Sequence, residues 1–297
     1  MSDSGAGNPA APGHQAALDG WRGVACLMVF WHHTGTAVEL GPVTVRLDTG
    51  VQLFFVLSGY LIARPFLAAF ASGGPSPSAG EYAAVRAVRI LPPYLVALAG
   101  FVLARAATGQ AVPSGWTVAT RALLVSNYFP GENFFAINAV FWTLAIEAQF
   151  YALLPLAAWA VGRAVGKTPA GGCVLVALFL AAGPAARAAE SWLVGPGALP
   201  TGQVRFRSTF AFLDQFGWGM AVALLSATGR RPGTNTLRLG AVAGAALFLA
   251  ANAYAGLGVP KPDGDWLQSS DWLMVVAYPF ALAAGLALVL LRATGGG

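Results

Sequence analysis

The stretch GGCVLVALFLAAGPAARAA, residues 171–189, carries a single charged side chain. A helix needs about 20 apolar residues to cross a hydrocarbon core about 30 Å thick. Seven further stretches have this character, and the eight predicted spans are 18–38, 48–70, 88–106, 138–163, 171–189, 208–228, 237–256 and 271–292. The runs are long and do not alternate at a period of two, which favours helices over a transmembrane barrel. The sequence therefore predicts an all-α polytopic membrane bundle with about eight transmembrane helices.

The composition of the 297-residue chain excludes most classes of soluble protein. Hydrophobic residues make up 57% of it and charged residues 10%, with a mean hydropathy of +0.64. Soluble domains carry about 25% charged residues, so these charges are too few to cover a water-facing surface. The 17 Lys and Arg residues are scattered, and the net charge of +5 predicts no nucleic-acid partner. Cys26 and Cys173 lie in apolar runs, so we interpret them as small core residues and expect no disulfide framework or metal site.

The predicted organisation is a disordered tail at 1–17 followed by one transmembrane domain at 18–297. The tail is rich in small and polar residues and lacks the basic and apolar regions of a signal peptide. An apolar stretch at 117–129 is too short to span, and we predict an interfacial or re-entrant helix there. With the N-terminus inside, nine Lys and Arg fall in the inner segments and seven in the outer ones, which include Arg121 and Arg187. This bias predicts a multi-pass plasma-membrane protein with a cytoplasmic N-terminus.

Ionisable side chains inside spans are costly, so each one is a candidate for function. In the first span Arg22 and His33 are eleven residues apart, which is about three helical turns. Both side chains therefore point the same way, separated by roughly 16 Å along the axis, and His32 points about 100° away. A histidine in an apolar helix can be a neutral packing residue. Beside an arginine in register, we favour His33 as a general base, since imidazole exchanges its proton near neutral pH.

Arg86 and Arg89 are neighbours on one helix face at the mouth of the third span. One interpretation is that they anchor the cytoplasmic end of the span with snorkelling side chains. The other is an anion clamp, because two guanidinium groups suit phosphates. Pro92 and Pro93 follow, and the backbone carbonyls that they leave unpaired suit a segment that lines a cavity.

Glu147 lies in the middle of the fourth span, close in sequence to Trp142. A carboxylate at that depth faces the bundle interior or a wet cavity, where it can orient a histidine or pair structurally with an arginine. Ser58 and Gly59 in the second span favour close helix packing over a nucleophilic serine, which lacks the flanking elbow of soluble hydrolases. Asp214 in the sixth span is a weaker candidate.

Four stretches together resemble the acyltransferase 3 family of polytopic membrane O-acyltransferases. They are LDGWRG at 18–23 with His33, FFVLSGY at 54–60, the set Arg86, Arg89, Ile90, Pro92 and Tyr94, and the set Trp142, Thr143, Leu144, Glu147, Phe150 and Tyr151. The chain departs from the family in having Glu147-Ala148 in place of Glu-Glu, and in lacking an ISYSLYLWH-like segment. The family usually has more spans than the eight predicted here. The domain is therefore expected to be C-terminally incomplete.

The resemblance implies transfer of an acyl group, often acetyl, from acyl-CoA to a hydroxyl group of a carbohydrate or small-molecule acceptor. By residue matching, Arg22 and His33 are the catalytic pair. Glu147 would orient the imidazole and stabilise its cation if it reaches His33. The expected acyl-CoA contacts are Arg86, Arg89 and Tyr94. The accessory candidates are His32, Ser58, Trp142 and Asp214.

The expected partners are acyl-CoA as donor substrate, the acceptor and the lipid bilayer, and no permanently bound cofactor is expected. Two alternatives to an acyltransferase stay open. A proton-coupled transporter also needs intramembrane His, Arg and Glu residues, although the inverted repeats common in transporters are not evident here. The second alternative is an inactive, truncated paralogue. Direct transfer and an acyl-histidine intermediate at His33 are likewise both open.

Overall fold

The computed structural model describes residues 16–37, 46–129, 136–195, 206–229, 232–258 and 276–294. In this part of the chain all regular structure is helical, which confirms the all-α prediction. The α-helices are α1 (Ala16–Ala37), α2 (Gly50–Ser72), α3 (Ala79–Ala107), α4 (Gly115–Ala122), α5 (Phe141–Ala164), α6 (Pro169–Val194), α7 (Leu213–Ala227), α8 (Thr234–Gly258) and α9 (Tyr278–Thr294). The predicted tail, up to residue 15, lies outside the described residues, as do the first residues of the eighth predicted span, 271–275.

Five helical segments of the described ranges are long and apolar enough to cross a membrane. They are Leu47–Ser72, Ala79–Ala107, Phe141–Ala164, Pro169–Val194 and Thr209–Ala227. Shorter apolar stretches occur in α8 and α9, at Thr234–Ala250 and Tyr278–Thr294. Each of the eight predicted spans overlaps a helix, so the chain is a helical membrane bundle, as predicted.

The third helix begins earlier than its apolar run predicts. The hydroxyl of Ser78 caps it by accepting a hydrogen bond of 3.4 Å from the backbone N–H of Glu81. The polar segment that follows therefore joins the helix, and Arg86, which precedes the predicted span of 88–106, lies inside α3 together with Arg89. The stretch that was predicted to be too short to span forms α4 and a 3₁₀ turn at Ser126–Tyr128.

The centre of the bundle is the contact between α2 and α7. Gly59 and Gly219 make this approach close: a Cβ atom on Gly59 would overlap the carbonyl oxygen of Phe216, and one on Gly219 would overlap that of Val56. Small residues let helix backbones approach in this way. Gly59 therefore serves helix packing, which is the interpretation favoured for this stretch. Helices α6 and α9 also pack against α7.

Helix α3 lies at the edge of the bundle, where it packs mainly on α5 and α4. Its outer face exposes large apolar side chains, among them Val88 and Leu103, which in a bilayer contact lipid. Its inner face carries Tyr82, whose ring lies edge-on to Phe66 of α2 with centroids 5.2 Å apart. This arrangement brings α2, α3 and α5 together at one junction.

Candidate active site

The first group of predicted site residues lies along α1. Leu18 and Ala25 are buried, and Trp21 and Met28 pack against the core, so this stripe of the helix faces the bundle. The 100° step per residue places His32 in line with this stripe and His33 about 100° away from it, where its side chain is exposed. The imidazole is therefore open to a substrate that approaches the side of the bundle.

The imidazole of His33 has a defined tautomer. Its Nδ1 lies 2.8 Å from the carbonyl oxygen of Val29, one turn earlier in α1. A carbonyl oxygen can only accept, so Nδ1 carries the proton and Nε2 carries the lone pair. Nε2 has no hydrogen-bond partner among the described residues. This is the protonation pattern that a general base requires.

Arg22 is half-buried, and its guanidinium lies 3.6 Å from the carboxylate of Asp19. Helix α1 is continuous from Asp19 to His33, so Arg22 and His33 share a face, as their spacing predicts. The ring of His32 stands edge-on to that of His33, with centroids 5.1 Å apart. The α1 group thus consists of one cation and two imidazoles on a single helix.

The second group lies at the junction of α2, α3 and α5. Ser58 Oγ and the Tyr151 hydroxyl both donate to the same carboxylate oxygen, Glu147 Oε1. Within the described residues Glu147 shares no hydrogen bond with His33. The structure therefore brings Ser58 and Glu147 together and leaves the expected Glu147–His33 pair unformed.

Arg86 lies next to this group and, with Tyr151, lines a half-open cavity of about 210 Å³. Its guanidinium carbon is 5.8 Å from the ring centroid of Tyr82 and 5.7 Å from that of Tyr151. The remaining lining consists of small or aliphatic residues, namely Ala83, Ala87, Ile90, Leu91, Ala148 and Ala152. No carboxylate within the described ranges lies in ion-pair distance of Arg86. The site thus offers a cation, flanked by two aromatic rings, to a ligand.

Arg89 and Tyr94 do not join Arg86 in one cluster. Arg89 is exposed one turn further along α3. Tyr94 is buried, donates its hydroxyl to the carbonyl oxygen of Arg121 at 2.8 Å, and stacks edge-on against Phe141. Its hydroxyl group is therefore engaged with the end of α4.

The last two candidates lie in packed surroundings. The ring of Trp142 contacts those of Phe55 and Phe212, with centroids 6.3 and 5.4 Å apart. Asp214 is fully buried and receives two hydrogen bonds of 2.8 Å, one to each carboxylate oxygen, from Arg187. Its carboxylate is accordingly occupied by an ion pair between α6 and α7.

Two arginines that were counted as charges of outer segments are buried within the bundle. Arg187 is fully buried because Asp214 supplies its counter-charge. Arg121, which is 2% exposed, lies at the end of α4 and donates to the carbonyl oxygens of Ala136 at 3.0 Å and Thr117 at 3.3 Å. Backbone carbonyl groups of α4 and of the segment before α5 thus hold this buried guanidinium.

A protein-family model described as an acyltransferase domain matches residues 15–296. The chain belongs to the acyltransferase 3 family. It is similar to Nodulation protein 10 of Rhizobium leguminosarum bv. viciae, with 29% identity over 177 residues. The match covers 51% of this chain and 46% of that protein, so the chain spans about half the length of the curated relative it matches. No solved structure matches the chain.

The family match extends over both groups of site residues, so α1 and the α2–α3–α5 junction belong to one acyltransferase 3 domain. Sequence reasoning missed Tyr82 as a member of this site. The signal was its position four residues before Arg86, which places an aromatic ring and a guanidinium on the same helix face.

A polar network beside the junction was also not predicted. Gln149 Nε2 donates to the carbonyl oxygen of Leu124 at 2.5 Å and to Asn127 Oδ1 at 2.8 Å, and Thr209 donates to Gln149 Oε1. Non-helical backbone at membrane depth needs such partners. The network attaches the 3₁₀ turns at Ser126–Tyr128 and Thr209–Phe212 to α5.

Proposed function

We propose that the chain is a plasma-membrane O-acyltransferase with a cytoplasmic N-terminus. It moves an acyl group, acetyl being the expected case, from acyl-CoA to a hydroxyl of a carbohydrate or secondary-metabolite acceptor. The observation that carries the proposal is His33 on an exposed side of α1 within an acyltransferase 3 domain, with an Nε2 that has no hydrogen-bond partner among the described residues. A hydroxyl group is a weak nucleophile and needs a base in line with its proton.

In the proposed reaction the acceptor oxygen attacks the carbonyl carbon of the thioester. Nε2 of His33 takes the hydroxyl proton, and the C–S bond breaks. The imidazolium then returns the proton to the sulfur, so CoA leaves as a thiol and the acceptor leaves as an ester. The Nδ1–H bond to Val29 keeps the ring in the tautomer that this sequence of steps requires.

The cations are assigned to different parts of the donor. About 16 Å of helix separates Arg22 from His33, which is too far for both to act on one carbonyl group. We therefore assign Arg22 to the pantetheine arm of the donor, and Arg86 with Arg89 to its phosphates. Glu147 has no bond to His33 in the described residues, so it has no part in the proton transfer.

The test compares the His33→Ala variant with the wild type. Membranes that contain the chain are incubated with acetyl-CoA as donor and a host envelope extract as acceptor. Release of the CoA thiol is expected to fall by about a hundredfold or more, because the reaction loses its base. Thr34→Ala is the matched control, since the Thr34 hydroxyl only donates back into α1, to the carbonyl oxygen of Phe30 at 2.9 Å. Immunoblots of the membrane fraction check that both variants insert. A His33→Ala variant that keeps the wild-type rate would refute the proposal.

A further inference from the structure

The guanidinium of Arg86 lies between aromatic rings, and no carboxylate of the described residues forms an ion pair with it. The rings of Tyr82 and Tyr151 flank it at 5.8 and 5.7 Å, one from its own helix and one from α5. A cation over an aromatic ring is attracted by the partial negative charge on the ring face. The orientation of Arg86 therefore depends on how firmly these two rings are held.

The ring of Tyr151 is held by its hydroxyl group. It donates to Glu147 Oε1, which also accepts from Ser58 of the neighbouring helix. Hydrogen bonds to an ionised carboxylate are roughly twice as strong as neutral ones. Ser58 in turn belongs to the most closely packed helix of the bundle, next to Gly59 at the α2–α7 contact. A continuous series of contacts thus leads from the rigid core to the Arg86 guanidinium.

The ring of Tyr82 is held from the side, by the edge-on contact with Phe66. Its hydroxyl and the Nε of Arg86 are buried and have no hydrogen-bond partner within the described residues, although almost every buried polar atom in proteins has one. Both residues line the cavity between α3 and α5. The unpartnered atoms therefore point to a polar or anionic group as the missing partner.

We infer that Ser58, Glu147 and Tyr151 are positioning residues for the donor-binding Arg86, and that Glu147 acts through Tyr151 and not through His33. The inference rests on the proposed function, in which Arg86 contacts the phosphates of CoA. Loss of the carboxylate frees the Tyr151 ring and lets the guanidinium leave its place. The consequence is weaker donor binding at an unchanged rate of the chemical step.

The experiment measures KM for acetyl-CoA and kcat in graded variants. Glu147→Gln keeps an acceptor oxygen but loses the charge, and KM is expected to rise about threefold. Tyr151→Leu removes the ring, and a rise of about threefold to thirtyfold is expected. In both variants kcat stays within about twofold, because an interaction made equally in ground and transition state changes only KM. Ser58→Ala removes one of the two donors to Glu147 and is also expected to raise KM. Its matched control is Ser72→Ala, since the Ser72 hydroxyl bonds local backbone at the end of α2, donating to Ala68 at 2.9 Å and accepting from the N–H of Gly74 at 3.2 Å.

A second measurement does not depend on turnover. Equilibrium dialysis of coenzyme A against the purified, detergent-solubilised chain is expected to show Kd rising in the same order as KM. If wild-type protein binds coenzyme A but releases no thiol from acetyl-CoA, the proposed function fails, and a graded Kd still supports the positioning role. The inference is overturned if kcat falls at constant KM, since Glu147 would then act in the chemical step. It is also overturned if the variants keep the wild-type Kd, or if wild-type protein binds no coenzyme A.

Discussion

The buried ion pair between Arg187 and Asp214 allows the sharpest stability prediction. Arg187 makes two hydrogen bonds of 2.8 Å to the carboxylate, one of 2.5 Å to the carbonyl oxygen of Ala211 and one of 3.3 Å to that of Val276. Both charged side chains are fully buried. Arg187→Met leaves Asp214 without its described partner, in a site of low dielectric constant. Breaking a buried pair in this way costs about 3–5 kcal/mol in free energy of unfolding.

The double variant Arg187→Met/Asp214→Leu separates the charge effect from the packing effect. It removes both charges, so it is expected to recover a large part of the loss, because buried pairs replaced by apolar residues are often neutral. Both variants also lose the hydrogen bonds that Arg187 donates to the carbonyl oxygens of Ala211 and Val276, each of which contributes about 0.5–1.5 kcal/mol. The double variant is therefore expected to fall between the wild type and Arg187→Met.

The assay is unfolding in detergent micelles by SDS titration, followed by circular dichroism. Arg163→Met is the control, since that guanidinium is exposed and lies over the ring of Trp159 at 5.5 Å. It is expected to change the free energy of unfolding by less than about 1 kcal/mol. A loss below about 1 kcal/mol in Arg187→Met would refute the reasoning, since an unpaired buried carboxylate cannot cost so little. A double variant less stable than Arg187→Met would refute it as well.

Two further predictions concern the packing that positions the site. Gly219→Ala places a methyl group on the carbonyl oxygen of Val56, so we expect the helices to separate and the melting temperature in fluorescence-detected size exclusion to fall. Gly100→Ala, which has no neighbour within 4 Å, is the control, and equal melting temperatures would contradict the prediction. Gln149→Leu leaves Asn127 and the Leu124 carbonyl without these partners, so backbone amides at 123–129 should exchange hydrogen faster than in wild type. Unchanged protection of that segment would show that the network is dispensable.

The positions of the helices were largely predictable from the sequence because membrane helices are selected on a local property. Each span must be apolar over its whole length and must satisfy its own backbone hydrogen bonds. The prediction was wrong at the start of α3, where a cap at Ser78 extends the helix into a polar segment. Hydropathy alone does not report capping, so the predicted span of 88–106 begins later than the helix and leaves out Arg86.

The partners of the buried charges were not predictable in the same way. Asp214 and Arg187 are 27 residues apart in the chain, and Ser58 and Glu147 are 89 apart. A hydropathy profile scores each of these residues within its own span and carries no information about contacts with distant residues. An Arg in one span and an Asp in another indicate that an ion pair is possible. Which residues pair depends on how the helices pack, and the sequence does not give that packing.

The sequence by itself determined the helical membrane class and the common face of Arg22 and His33, because both follow from the composition and 3.6-residue period of a continuous segment. It also carried the four motifs by which the acyltransferase 3 family was recognised. Only the tertiary structure decided that Glu147 lies with Ser58 and Tyr151 beside Arg86, and that Asp214 neutralises Arg187. The physical reason is that the contacts of Ser58 with Glu147, of Arg86 with Tyr151 and of Asp214 with Arg187 join different helices, whose packing does not follow from any local pattern.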